Sequence, residues 1–400
     1  MSAFKSVAVA KRGGEVPDHD SLFPTTALYV HIPFCARKCF YCDFPSFAGQ
    51  DDAMEAYVKA LREEISAAPR LRVRTIFFGG GTPSYLPAAL LGEILADILA
   101  HFEVLPGAEI TMEANPGNER LRDGSALDEW RRYREMGFNR VSLGVQSFDA
   151  DVLQALGRIH RPEDALDAVR AARSGGFERL SIDLMYGLPG QTLETWRDTL
   201  MVALSLRLPH VSAYSLIVEP HTPFEMAERQ GRLPLPDENT EREMARLVEV
   251  MLSEAGYDHY EVSNWALPGC ESQHNQVYWR NEPWLGFGSG AHSYWGRRRW
   301  SNPSTITKYL SDGPAVPPSV EQALHTEQEE TMFMGLRLLK EGMSNERFEA
   351  RFGCDLQSRY GTVIDDLASR GLVTFTDGRL CLTPEGLPLA NEVFGAFLDC

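Results

Sequence analysis

Six times between residues 27 and 254, a short run rich in β-branched and aromatic residues is followed by a longer run with helical periodicity. ALYVHIPF (27–34) is the first such strand, and behind Asp51 the residues Met54, Tyr57, Val58, Leu61 and Ile65 fall on one helical face. TIFFGGG (75–81) precedes a helix carrying Leu90, Leu91, Ile94, Leu95 and Ile98. EITMEANP (109–116), RVSLGVQSF (140–148), RLSIDLMYGLP (179–189) and HVSAYSLIVEP (210–220) continue the cycle, with helices near 125–136, through 174, over 193–206 and from about 238. Strands joined by crossover helices pair in parallel, so six such units in order predict an α/β fold around one parallel sheet.

Each apolar strand ends in something polar or irregular: a cysteine cluster, GGGTP, Glu113–Asn115, Gln146, Asp183, then Glu219–Pro220. Gly, Pro and Asn alone would only mark βα turns. Six polar strand ends in succession point instead to one shared site at the C-terminal face of the sheet, where parallel barrels place their chemistry.

The most specific of these ends is HIPFCARKCFYCDF (31–44), which spaces its cysteines as Cys35-x3-Cys39-x2-Cys42. Three thiolates on one loop suit a [4Fe–4S] cube whose fourth iron has no protein ligand, which leaves room for a small molecule. A Cys3His zinc site is the competing reading, with His31 as fourth ligand. His31 lies inside the strand, however, about 13 Å from Cys35 at strand rise. Unpaired structural thiols are the bland alternative. The other four cysteines (Cys270, Cys354, Cys381 and Cys400) are scattered singly, and an odd total of 7 favours free thiols or metal ligands over disulfides.

The net charge of −17 argues against an extended nucleic-acid surface. The N-terminus has no secretory pattern and no run is long enough to span a bilayer, so a cytoplasmic location is expected. SDGPAVPPSVEQ (311–322) reads as a linker. Beyond it, two helical runs, a third helix and a hairpin around Asp377–Gly378 suggest a small α+β, winged-helix-like module. Acidic residues outnumber basic ones there, so it reads as a covering or partner domain rather than a DNA reader.

The cysteine spacing, with Tyr41 before the last cysteine and GGGTP after the second strand, resembles the radical S-adenosylmethionine superfamily over roughly residues 25–265. That resemblance implies a partial (β/α)6 barrel of TIM type, a [4Fe–4S] cluster on Cys35, Cys39 and Cys42, and S-adenosylmethionine chelating the open iron. Reduction would then cleave the sulfonium to a 5′-deoxyadenosyl radical. Tyr29, Tyr41, Gly80, Gly81, Thr82, Glu113, Gln146, Arg158 and Asp183 are the residues expected around S-adenosylmethionine. Expected boundaries are a tail over 1–24, the core over 25–265, a motif and linker region over 266–320, and the C-terminal module over 321–400.

Within the superfamily, YVHIPFC, GGGTPS, GVQSF and IDLMYGLPGQT resemble the coproporphyrinogen III oxidase-like family, which includes oxygen-independent oxidases and a haem-chaperone group. The oxidases resemble C-x3-C-x2-C-x-C, whereas Phe44 stands at the fourth cysteine here. Only about 26 residues precede the first strand, where the oxidases carry a sizeable extension. HNQVYW (274–279) resembles the HNxxYW haem signature of the chaperone group. It implies haem as a ligand, contacted by His274, Asn275, Tyr278 and Trp279, with an imidazole able to serve as axial ligand. On a helix, residues 274 and 278 would share a face. Without the family, a packed polar–aromatic cluster is the commoner meaning of such a stretch. Two further features are weaker. GFGSGAHSY (286–294) could close the mouth of the site, and Arg297–Arg299 could pair with haem propionates or form a solvated turn. The resemblance implies haem delivery to respiratory acceptor proteins, including membrane ones, and a homodimer as one assembly; the acidic charge leads to the expectation of no nucleic-acid partner. A radical oxidative decarboxylase of coproporphyrinogen III is the alternative function.

Overall fold

The structure, a computed structural model, describes residues 25–117 and 126–398; the expected tail over 1–24 lies outside the described residues. All six strands form, as β1 (Thr26–Ile32), β2 (Arg72–Gly80), β3 (Glu103–Ala114), β4 (Arg140–Gln146), β5 (Arg179–Tyr186) and β6 (His210–Ser215). They pair in parallel in chain order. Because β1 and β6 are not partners, the barrel is partial. The main crossover helices are α1 (Met54–Ala67), α2 (Ala88–His101), α3 (Ala126–Met136), α4 (Pro162–Ser174) and α5 (Leu193–Ser205), with α6 (Glu238–Glu254) after β6.

Strand alternation explains how one sheet carries both a core and a polar interior, since successive side chains point to opposite faces. Leu28, Val30 and Ile32, then Ile76 and Phe78, Ile110 and Met112, Val141 and Leu143, and Ile182 and Val211 all join one apolar core with the helices. The residues between them (Tyr29, His31, Thr75, Phe77, Glu109, Glu113, Ser142, Asp183, His210 and Tyr214) face the inside of the barrel. There they bond to one another, as Ser142 does to Asp183 at 3.0 Å and Ser181 to His210 at 2.7 Å.

The expected last strand, 210–220, stops at Ser215, which pairs with Tyr186, the final residue of β5. With no partner strand beyond that point, residues 216–222 turn away, and Leu216 and Val218 pack in a small cluster with Phe40 and Tyr41 of the cysteine loop.

The boundary expected at residue 265 is crossed by the sheet itself. β7 (Asp258–Glu261) and β8 (Asn264–Ala266) extend it antiparallel beyond β6, and helix α7 (Gln273–Trp279) follows. Then β9 (Trp284–Phe287) pairs in parallel with β1, and β10 (His292–Trp295) and β11 (Arg298–Ser301) complete that edge. Leu285, Phe287, Ile306 and Tyr309 belong to the barrel core, so residues 266–310 are part of it.

The C-terminal module runs through α8 (Leu324–Gly335), β12 (Met343–Ser344), α9 (Asn345–Phe352), α10 (Leu356–Ser369), β13 (Val373–Thr376), β14 (Arg379–Leu382) and α11 (Ala390–Gly395). Its three strands lie in the order β12–β14–β13 over a separate core that includes Met332, Phe348, Tyr360 and Phe394. The β13–β14 hairpin turns through Asp377 at φ 52° and Gly378 at φ 69°, the two left-handed positions a type I′ turn requires. No helix among the described residues is long and apolar enough to cross a membrane.

Candidate functional site

The cysteine loop leaves the C-terminal end of β1 and returns beside it, because Phe34–Cys35 pairs in parallel with Phe47–Ala48. Cys35 is buried, Cys39 and Cys42 are half-buried, and all three are free thiols. Each sulfur has a polar neighbour: Thr82 Oγ1 at 3.4 Å from Cys35, Arg158 Nη1 at 3.4 Å from Cys39 and Ser46 Oγ at 3.9 Å from Cys42. Against thiolates all three neighbours donate, and such donors tune an iron–sulfur centre. Burial raises the Cys35 and Cys42 thiols above their ordinary pKa, opposed at Cys35 by Thr82 and at Cys42 by the Phe44 backbone.

A single-ion site fits less well. No three His, Cys, Asp or Glu side chains among the described residues converge on one ion. His31, the fourth ligand a zinc site would need, is engaged elsewhere: Nε2 donates to the Pro45 carbonyl at 2.8 Å and Nδ1 accepts from Tyr29 Oη at 3.0 Å. Three free thiols on one loop are the donor set that a cluster with one open iron would use.

Behind the cysteines, Arg158 bridges Cys39, Asn115 Oδ1 (2.7 Å) and the Gly144 carbonyl, and Asn115 donates to Thr82 Oγ1 at 2.8 Å. Gly144 is required here, since a Cβ would stand 2.7 Å from Asn115 Oδ1. Thr82 and Arg158, expected around S-adenosylmethionine, stand against Cys35 and Cys39. Asn115, seen only as a strand-end turn residue, joins them. A recess opens beside this group, lined by Arg37, Cys39, Asn115, Gly157, Arg158 and His160.

The remaining expected residues sit deeper. Glu113 accepts from Gly80 N at 3.1 Å, Asp183 accepts from Ser142, and Gln146, at φ 68°, accepts from Tyr214 Oη at 3.2 Å. Tyr41 packs on Phe224 at a ring distance of 6.4 Å. The glycines have packing reasons of their own. A Cβ on Gly80 would lie 2.2 Å from the His31 ring, and one on Gly81 would lie 2.7 Å from the Ile32 carbonyl.

Burial first, and Asp183 second, push the Glu113 carboxyl up to about 8 from its ordinary 4.5, against the pull of Gly80 N–H. Asp183 is raised as well, chiefly by burial. Glu113 and Asp183 are thus two buried carboxyls inside the barrel, each harder to ionise than in water. The sign of the linkage is fixed: the folded protein keeps a proton on Glu113 that the unfolded chain releases. Glu113 therefore favours folding below about pH 4.5, and this contribution erodes as pH rises towards about 8. Thermal unfolding of the cofactor-free protein is expected to show midpoints falling with pH across that window. Glu113→Gln should flatten the slope; an unchanged slope would mean that Glu113 is ionised throughout.

The HNQVYW stretch forms α7, seated across the N-terminal end of the barrel. Glu109 accepts from the backbone of His274 (3.0 Å) and Gln273 (3.3 Å). His274 and Tyr278 share a face as the helical spacing predicts, with Nε2 2.8 Å from Tyr278 Oη. That face is turned inward, which corrects the expectation of an open axial haem ligand. His274 has no exposed surface, its Nδ1 lies 2.9 Å from Thr75 Oγ1, and its ring stacks on Phe77 at 5.0 Å. Burial, with Arg74 second, holds it neutral, its pKa lowered to about 3. Tyr278 packs edge-on to Trp284, Trp279 lies under Arg337, and Asn275 bonds through its backbone to the Ser272 cap. His274 is thus packed wholly into the floor, with Asn275, Tyr278 and Trp279 half-buried around it. The arginine run is held by carboxylates of the protein itself. Arg297 pairs with Glu327, Arg298 with Glu321 and Arg299 with Glu330, tying the sheet edge to the C-terminal side of the chain.

The family model for the radical SAM superfamily matches residues 29–203, and the HemN C-terminal domain model matches 324–389. A curated relative from Lactococcus lactis, "Heme chaperone HemW", is 40% identical over 92% of this chain and 96% of its own. One of the same name from Bacillus subtilis is 39% identical over 92% of this chain and 98% of its own. Among solved structures, coproporphyrinogen III oxidase from Escherichia coli, titled a radical SAM enzyme, superposes with a TM-score of 0.79 at 24% identity, covering 94% of this chain and 90% of that one. At that identity the likeness establishes the fold alone.

Proposed function

The chain belongs to the haem-chaperone HemW family of the radical SAM superfamily, and from that premise we propose that it binds haem and passes it to acceptor proteins. Cys35, Cys39 and Cys42 would hold a [4Fe–4S] cluster, with S-adenosylmethionine beside it. When bound, such a cluster supplies an open iron for the methionine amino and carboxylate groups and a source of single electrons. The protein's own part is to position the ligand. Gly80, Gly81 and Thr82 keep the backbone close, and Glu113 and Asp183 offer acceptors to an ammonium or sulfonium. Arg158 steadies Cys39, while Tyr29, Tyr41 and Gln146 complete the wall.

Phe44 carries the choice of carrier over oxidase. It occupies the position of the oxidases' fourth cysteine and is 61% exposed. Ile159, Ile217 and Met226, from loops and a helix at the same end of the strands, are also exposed. We group these exposed side chains into one apolar rim that would suit the face of a porphyrin, and propose haem there rather than on His274. Delivery to membrane respiratory enzymes, and pairing of two copies, belong to the same proposal.

The test is anaerobic. Reconstituted protein with S-adenosylmethionine, dithionite and coproporphyrinogen III is expected to form no protoporphyrinogen, while haem titration saturates and bound haem moves to a haem-free acceptor. Catalytic decarboxylation would make the chain an oxidase.

A further inference from the structure

We propose that His274 is a positioning residue for the cysteine loop, acting from the barrel floor through a file of packed rings. The file is continuous. His274 stacks on Phe77 at 5.0 Å and 22°, and Phe77 stacks on Tyr29 at 6.3 Å and 19°. Tyr29 Oη donates to His31 Nδ1 at 3.0 Å, and His31 Nε2 donates to the Pro45 carbonyl at 2.8 Å. Pro45 precedes Ser46, whose hydroxyl is 3.9 Å from Cys42 Sγ. Residues of β1, β2 and α7 thus join the HNQVYW helix to a cysteine at the opposite end of the strands.

The file has no slack. A Cβ on Gly79 would come within 2.8 Å of the Phe77 ring, one on Gly80 within 2.2 Å of the His31 ring, and one on Gly290 within 2.8 Å of Pro45. Where glycines are needed merely to admit the rings, a displacement is passed along rather than absorbed. The far end is anchored as well. Arg347 donates to the Arg280 carbonyl at 2.9 Å and Arg351 to the Asn281 carbonyl at 2.8 Å, so the C-terminal module grips the residues that end α7. The seat of that module is thereby linked to the geometry of the cysteine loop.

This inference rests on the cluster part of the proposed function and is independent of its haem part. His274→Ala and His274→Phe separate a ring that packs from a nitrogen that ligates. The reconstituted proteins are compared by iron release to a chelator, by electron paramagnetic resonance of the reduced cluster with and without S-adenosylmethionine, and by the absorption of bound haem. His274→Ala is expected to release iron about tenfold faster, at the low end for outer partners of metal sites, and to alter the resonance. His274→Phe, which keeps a flat ring on Phe77, should recover most of both, and bound haem should look the same in all three proteins. Should His274→Ala fail to fold, Phe77→Leu, which removes the ring between His274 and Tyr29, is expected to shift the resonance in the same direction. Normal iron retention and resonance in every folded variant overturn the inference. So does a loss of the haem spectrum shared by the alanine and phenylalanine variants. A wild type that takes up no four-iron cluster overturns the cluster reading itself.

Discussion

Cys39→Ser is expected to leave the protein unable to retain a four-iron cluster. With Cys35 and Cys42 it completes the three thiols of the loop, and no further cysteine follows at Phe44 to replace it. The loss has a second component, because Arg158 Nη1 lies 3.4 Å from Cys39 Sγ and would keep its charge with a weaker partner. Anaerobically reconstituted wild type should be brown and bleach with dithionite. Cys39→Ser should hold a small fraction of the wild-type iron, and Cys35→Ser and Cys42→Ser should behave alike. Cys270→Ser, Cys354→Ser and Cys381→Ser serve as controls and should match wild type. A colourless wild type with stoichiometric zinc would remove the cluster, and with it every proposal built on an open iron.

The largest expected effect on stability lies at the seam between barrel and C-terminal module. Glu327 is 2% exposed and accepts from Arg351 Nη2 at 2.8 Å, Arg297 Nε at 2.6 Å and Tyr294 Oη at 2.9 Å. Glu327→Ala strands two arginines, one of them buried, and should destabilise the fold by roughly 3–5 kcal/mol, as for other broken buried ion pairs. Urea unfolding measures it, and a loss below about 1 kcal/mol would show the seam to be hydrated. Replacing Glu327 and Arg351 together by leucine and methionine should recover much of the loss, because the buried charge leaves with its partner and the more exposed Arg297 keeps Glu321 at 3.7 Å. Burial pushes the Glu327 carboxyl up, but Arg351 and Arg297 outweigh it, leaving the pKa below its ordinary value. That contribution is present above the unfolded carboxylate pKa and is lost as pH falls through the folded one, opposite in sign to Glu113.

The strand–helix cycle and the cysteine loop were legible because each is written locally. Alternating apolar residues such as Ile110 and Met112 announce a strand, and Asp377–Gly378 announces a hairpin. The same alternation held an unused signal: Glu109, Thr111 and Glu113, set between the apolar residues, already outline a polar interior. What sequence could not supply was direction across space. The spacing of His274 and Tyr278 correctly puts them on one face, but only the seating of α7 on Glu109 and Thr75 decides that the face looks inward. Arg297–Arg299 look like a surface run until Glu321, Glu327 and Glu330 arrive from a distant helix and the loop before it. The boundary at residue 265 failed for a related reason, since β9 becomes a neighbour of β1 only by closing a loop of some 250 residues.

The exposed apolar rim bears on how copies of this chain meet in solution. With 56 acidic against 39 basic residues, they repel one another in dilute salt. At physiological ionic strength that repulsion is screened beyond about 8 Å, while contact between Phe44, Ile217 and Met226 of two copies is not. Self-association through the rim would tighten as salt is added, whereas a dimer held by ion pairs would loosen. A haem seated on the rim would cover it, so a loaded carrier would be the less adhesive form.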